Sequence, residues 1–126
     1  MKEEYVIYEQ AIKLKELGFK DKCNAYYWTE DKAFECTNSI VHKNSDTCQT
    51  VVMAPSLWQA QKWLRDKWRI HVEPNFIYET KFEVVIKRQK GSIFKRAERQ
   101  FDSYEEALSF GIDAALELLT DNKNDK

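Results

Sequence analysis

Between residues 4 and 17 apolar positions recur at helical spacing: Ile7, Ala11, Leu14 and Leu17 form one stripe, widened by Tyr8 and Ile12. The pattern predicts a first helix, closed by Gly18 just past its end, with Phe19 supplying the hydrophobic contact such a cap uses. The period then shortens. "NAYYWT" and "AFECT" are aromatic or β-branched, and "EDK" between them reads as a hairpin turn. Residues 38–48, "NSIVHKNSDTC", are polar with scattered turn formers, which predicts a surface loop and the most mobile part of the folded region. "QTVVMA" is a third strand, stopped at Pro55.

Ser56 with Gln59 has the spacing of a capping box and opens a second helix, predicted over 57–69. "IHVE" is a short strand closed off by Pro74, and Ile77 to Arg88 is the longest extended stretch. In it Phe82, Val84 and Ile86 alternate with Lys81, Glu83, Val85 and Lys87, as a half-buried strand requires. "QKGS" is a hairpin turn in which Gly91 supplies a positive φ, and "IFKRAERQF" returns as its partner. Ser103 with Glu106 forms another capping box, with Asp102 as a competing cap, and the last helix runs from Tyr104 to about Leu119. Its apolar arc holds Tyr104, Ala107, Leu108, Gly111, Ile112, Ala115, Leu118 and Leu119. Gly111 costs about 1 kcal/mol of helix propensity relative to Ala, and mid-arc it lets the helix lie close on a sheet.

The order is α-β-β-β-α-β-β-β-α. Sequential strands joined by hairpins predict an α+β domain: one antiparallel sheet of about five to six strands, with helices mainly on one face. A single domain is expected over 1–120, with 121–126 a disordered tail. Hydrophobic residues at 43% can fill a core, and 33% charged residues with a net charge of −1 give a mixed surface. "MKEEYVIYEQ" is acidic and lacks the apolar region of a signal peptide, and no apolar run reaches membrane-spanning length. The expectation is a cytoplasmic protein with no membrane partner. Cys23, Cys36 and Cys48 are odd in number and lack close pairing, which predicts reduced, mostly buried thiols and no metal site.

Two places concentrate cations. On the second helix Leu57, Ala60, Gln61, Leu64 and Trp68 share one arc with Trp63 at its edge, so Trp63 and Trp68 are expected in or beside the core. Trp58 shares the opposite arc with Lys62, Arg65 and Arg69. That is the look of a base-stacking, backbone-tracking surface. It is equally the look of a solvated face, or of a tryptophan folded onto the preceding strand or the 38–48 loop. The hairpin 81–100 carries Lys81, Lys87, Arg88, Lys90, Lys95, Arg96 and Arg99 against Glu83 and Glu98. Such a ribbon suits phosphate contacts, and it also suits plain defence of sheet edges. In outline, residues 80–119 resemble the small arm-type DNA-binding domains of phage integrases, in architecture and not in motif.

No nucleophile elbow, phosphate loop or H-E-x-x-H helix is present, and three glycines leave little for a phosphate cradle. His42 lies six residues from both Cys36 and Cys48, without a third orienting group. The chain is expected to be no enzyme and to need no cofactor.

"AIKLKELGFKDKCNAYY", "APSLWQAQKWLRDKWRIHV" and "FDSYEEALSFGIDAALELL" together resemble a family of small proteins from phages, prophages and mobile elements of gut Bacteroidetes. The resemblance covers Ala11 to Leu119 and implies a bacterial cytoplasm and a phage-related role, but no activity or site residues. The expected function is therefore non-enzymatic binding of an unknown protein or of a second copy, with no small-molecule substrate. Candidate contacts are Trp58, Lys62, Arg65, Arg69, Lys87, Arg88, Lys90, Lys95 and Arg96. The alternative is a sequence-tolerant nucleic-acid binder that uses the basic hairpin 81–100 and the Trp58, Lys62, Arg65 and Arg69 helix face.

Overall fold

The structure, a computed structural model, describes residues 4–36, 44, 50–88, 93–96 and 100–124. The chain is α+β, and its elements follow in the order α-β-β-β-α-β-β-β-α. They fall into two compact units, Met1–Ser56 and Leu57–Lys126. The strands form two antiparallel sheets of three strands each, not the single sheet expected from their sequential hairpins.

In the first unit α1 (Tyr8–Glu16) precedes β1 (Ala25–Trp28), β2 (Phe34–Cys36) and β3 (Val51–Met53), with β1 in the middle of the sheet. The helix starts four residues later than its periodicity suggested. Tyr5 instead bridges to Ser56, and the Val6 N–H donates to the Pro55 carbonyl at 3.1 Å, so this segment is held extended. Ile7 has no side-chain acceptor, and the Gln10 side chain reaches back to take the Ile7 N–H at 3.0 Å. At the other end Gly18 adopts φ 95°, and the Phe19 N–H reaches Leu14 O at 2.9 Å while the Gly18 N–H reaches Lys15 O at 3.1 Å. These are the two bonds of a Schellman cap, with Leu14 and Phe19 both buried as its hydrophobic contact. The turn between β1 and β2 is where "EDK" predicted it, with Lys32 at φ 63° and the Asp31 carboxylate accepting the Ala33 N–H. Val6, Ala11, Leu14, Phe19, Ala25, Val52 and Ala54 make the buried core.

Asn44 belongs to the segment expected as a mobile surface loop, yet it is buried. Its Nδ2 donates to Phe19 O at 3.0 Å and its Oδ1 accepts the Met53 N–H at 2.9 Å. The other residues of 38–48 lie outside the described residues.

The second unit holds α2 (Leu57–Trp68), β4 (Ile70–Tyr78), β5 (Lys81–Arg88), β6 (Ile93–Arg96) and α3 (Tyr104–Asn124), with β5 central. The extended stretch expected from Ile77 to Arg88 is a hairpin that turns at Glu79–Thr80, and Pro74 lies inside β4 and does not end it. Glu79 takes φ 49° without being Gly or Asn, so no residue type marks the turn. Ile77 is an extra residue in the ladder, between the Phe76–Phe82 and Tyr78–Lys81 pairs. The turn expected at "QKGS" lies outside the described residues.

Helix α3 packs on β4 and β5. A Cβ placed on Gly111 would come within 2.5 Å of Val72 Cγ1 and 2.6 Å of Val84 Cγ2, so the glycine permits the close approach its position suggested. Ser103 Oγ accepts the Glu106 N–H at 3.1 Å, while Glu106 reaches one residue further back, to the Asp102 N–H. Leu116, one turn beyond Ile112, is fully buried, whereas Leu118 and Leu119 are only half-buried. The tail expected from 121 is helical to Asn124: neither Gly nor Pro interrupts it, and Thr120 Oγ1 bonds back to Leu116 O.

One edge of each sheet is closed locally. In the β1–β3 ladder Thr29–Thr50 and Ala25–Ala54 are hydrogen-bonded pairs, so Met53, one residue out of phase, turns its N–H outward, where Asn44 takes it. On β4 the Val72 carbonyl turns outward and accepts from Gln61 Nε2 at 2.7 Å. Pro74 shares that phase, so its missing N–H falls on the outer edge, the side where a proline is tolerated in a sheet. At these positions each edge is occupied or lacks a donor.

Candidate functional site

Four rings of the second unit touch in sequence. Phe76 on β4 meets Phe82 on β5 edge-to-face at 5.8 Å, and Phe82 meets Tyr104 at the start of α3 at 6.1 Å. Tyr104 stacks on Trp58 of α2 at 5.2 Å with 27° between the planes. The run begins and ends in solvent: Phe76 is 64% and Trp58 45% exposed. Ile77 and Tyr78 extend the apolar surface at the hairpin tip.

Each ring is placed by its element. The hairpin register sets Phe76 opposite Phe82. Phe101 exchanges two backbone bonds with Phe82, each 2.8 Å, and so brings the start of α3 beside β5. An ion pair between Lys81 and Asp102 ties the same two segments. Its hydrogen bond raises the Lys81 ammonium above its ordinary pKa and holds the Asp102 carboxyl below its own. Tyr78 Oη adds a bond to Gln100 Oε1 at 3.2 Å.

Of the predicted contacts, Trp58, Lys62 and Arg65 lie exposed on α2. Trp58 rests on Tyr104, a neighbour that helical spacing could not reveal, because it comes from α3. Arg65 lies 3.7 Å from Asp66. Arg69 stands past the helix end at φ 58°, so helical spacing no longer places it on the face assigned to it. Lys87 pairs with Glu73 across the hairpin at 3.1 Å, because the two residues are near neighbours in the β4–β5 ladder. Arg88, Lys95 and Arg96 are placed by register alone, opposite Ile70, Ile86 and Val85, and Lys90 lies outside the described residues. The structure thus brings Trp58 to an aromatic surface and gives two of the hairpin cations acidic partners. Phe76, Phe82 and Tyr104 were missed as site residues; their one signal was the aromatic content of "NFIYETKF" and of the α3 cap.

Trp63 is buried as expected, but Trp68 is 37% exposed. It closes the last turn of α2, where the chain leaves through Arg69, and it meets Trp63 edge-on at 6.4 Å. Cys23 is buried and Cys36 is exposed at the end of β2, so the expected burial of the thiols holds for one of the two described cysteines. His42 and Cys48 lie outside the described residues, and among the described ones no three metal-binding side chains gather.

On the first unit Glu35 lies opposite Tyr26 in the ladder. Its carboxylate accepts from Tyr26 Oη at 2.9 Å and from Trp28 Nε1 at 3.0 Å. The two rings meet edge-to-face at 5.7 Å. The hydrogen bond to Glu35 raises the Tyr26 phenol above its ordinary pKa, so the phenol keeps its proton.

Fold and surface define an α+β protein with exposed aromatic side chains on both units. Comparison with family models, with curated proteins and with solved structures finds no match. No helix among the described residues is long and apolar enough to cross a membrane.

Proposed function

We propose that the chain is a non-catalytic binding module that engages another protein, or a second copy of itself, through the Phe76–Phe82–Tyr104–Trp58 run. The observation that carries this is a contiguous aromatic run with both ends open to solvent. Rings braced on one another lose little side-chain freedom on binding, and buried aromatics dominate protein interfaces. The Lys81–Asp102 pair beside the run balances its own charge, which suits an uncharged protein surface better than a phosphate backbone. A phage-related role in a bacterial cytoplasm is part of this proposal and rests on the family resemblance of the three segments.

Nucleic-acid binding is the second reading, supported by the cations of β5 and β6. The test combines light scattering over a range of concentrations, affinity capture of partners, and titration of labelled oligonucleotides at two salt concentrations. Self-association or capture of one defined protein, lost in a Trp58→Ala/Phe76→Ala variant, supports the proposal. Oligonucleotide binding that collapses with salt, is lost in Lys95→Glu/Arg96→Glu and survives Phe76→Ala would replace it.

A further inference from the structure

The Tyr26–Glu35–Trp28 group lies on the other unit and plays no part in the proposal above. In the β1–β2–β3 sheet Tyr26, Trp28, Glu35, Val51 and Met53 share one face, and Tyr27, Phe34 and Val52 share the other, as the register requires. On the first face Glu35 is exposed and Trp28 is 36% exposed. Glu35 has no part in the ion pairs Arg65–Asp66, Lys81–Asp102 and Lys87–Glu73. The nearby cation Lys32 is committed elsewhere, with its ammonium 5.2 Å from the Tyr8 ring centre.

We infer that this face is a receptor for a cationic side chain, an arginine presented by a protein partner. The two aromatic donors hold both carboxylate oxygens in place, one bond to each, which leaves a further acceptor site on each oxygen. A guanidinium has the fork that matches two such sites, and it also stacks on a flat indole. Donation of the Trp28 N–H to an anion moves electron density into the indole, which favours a cation over its face. An ammonium would gain the charge attraction without the fork or the stack, so arginine is preferred to lysine. An acidic group finds no donor here, since both donors already serve Glu35, and a neutral donor lacks the charge attraction to the carboxylate.

The test uses the full chain and follows the Trp28 indole N–H by heteronuclear NMR, assigned through Trp28→Phe. It is titrated with blocked Gly-Arg-Gly, with the lysine analogue, and with the citrulline analogue, which keeps the shape of arginine without its charge. A saturable shift with the arginine peptide is expected, at millimolar affinity because the site is open to solvent. The lysine peptide should bind about threefold more weakly, and citrulline should give no saturable shift. Glu35→Gln should weaken the arginine peptide about fivefold, with the backbone spectrum showing the sheet intact. No saturable shift at tens of millimolar peptide, equal binding of citrulline, or unchanged binding in Glu35→Gln would each overturn the inference. None of these results bears on the aromatic run of the second unit.

Discussion

The two units each guard an edge strand with a side-chain amide, and they do so in opposite senses. In the first, Asn44 acts as a strand substitute: it accepts the outward Met53 N–H, donates to Phe19 O, and is itself buried. In the second, Gln61 only donates, to Val72 O, from a half-buried position, and Pro74 removes the donor that would otherwise need a partner. A buried bracket cannot be replaced by water without opening the structure. A half-buried one can. The first unit should therefore depend far more on its amide than the second does.

Asn44→Ala is the largest expected effect. It strands the Met53 N–H inside the unit, at about 1–3 kcal/mol, and removes the bond to Phe19 O, worth about 1 kcal/mol, so a loss of about 2–4 kcal/mol is expected in urea unfolding. Amide exchange at Met53 should accelerate with it. A loss below about 1 kcal/mol would mean that water enters freely, and the contrast between the two units would disappear.

Gly111→Ala asks how tightly the second unit is packed. Helix propensity alone predicts a gain of about 1 kcal/mol. Against it stand Val72 and Val84 methyls within 2.6 Å of the new Cβ, on stiff β-branched side chains that cannot swing aside. Overpacking costs about 1–3 kcal/mol, so the clash should win and thermal unfolding should show a net loss of up to about 2 kcal/mol. A stabilised variant would show that α3 can lift from the sheet at little cost. Gln61→Ala comes next, at about 1 kcal/mol, the worth of one ordinary hydrogen bond. If it matched Asn44→Ala, partial exposure would be offering the Val72 carbonyl no relief.

These contrasts also show which features were legible. Helix α1 with its glycine cap, the "EDK" turn, the Ser103 cap and the close approach at Gly111 were readable, because each depends on residue types at fixed spacing. Pro74 is in view too, but a proline fits a strand end and an edge strand alike, and here it marks an edge. The turn at Glu79 was hidden because a glutamate holds the left-handed conformation that Gly or Asn would have advertised. Asn44 was hidden for a different reason: a polar residue among polar residues carries no sign that it is buried. The aromatic run was half legible. Trp58 stood out on its helix, but Tyr104, Phe82 and Phe76 reach it from three other elements, and periodicity along one element cannot see across to another.

The smallest expected effect sharpens the comparison most, because both early helices stop on a left-handed residue. For α1 it is Gly18 at φ 95°, where the conformation carries no side-chain penalty. For α2 it is Arg69 at φ 58°, where a side chain raises the energy by about 1–2 kcal/mol. Arg69→Gly removes that strain, but it also frees the unfolded chain, which offsets about 0.5–1 kcal/mol of the gain. A net stabilisation of about 0.5 kcal/mol is therefore expected in urea unfolding, with no change in the Trp58–Tyr104 stack, since Arg69 lies past the end of the helix. If Arg69→Gly instead destabilises the chain, the arginine side chain makes a contact worth more than its backbone strain. It would then rejoin Lys62 and Arg65 as a residue to test at the binding surface.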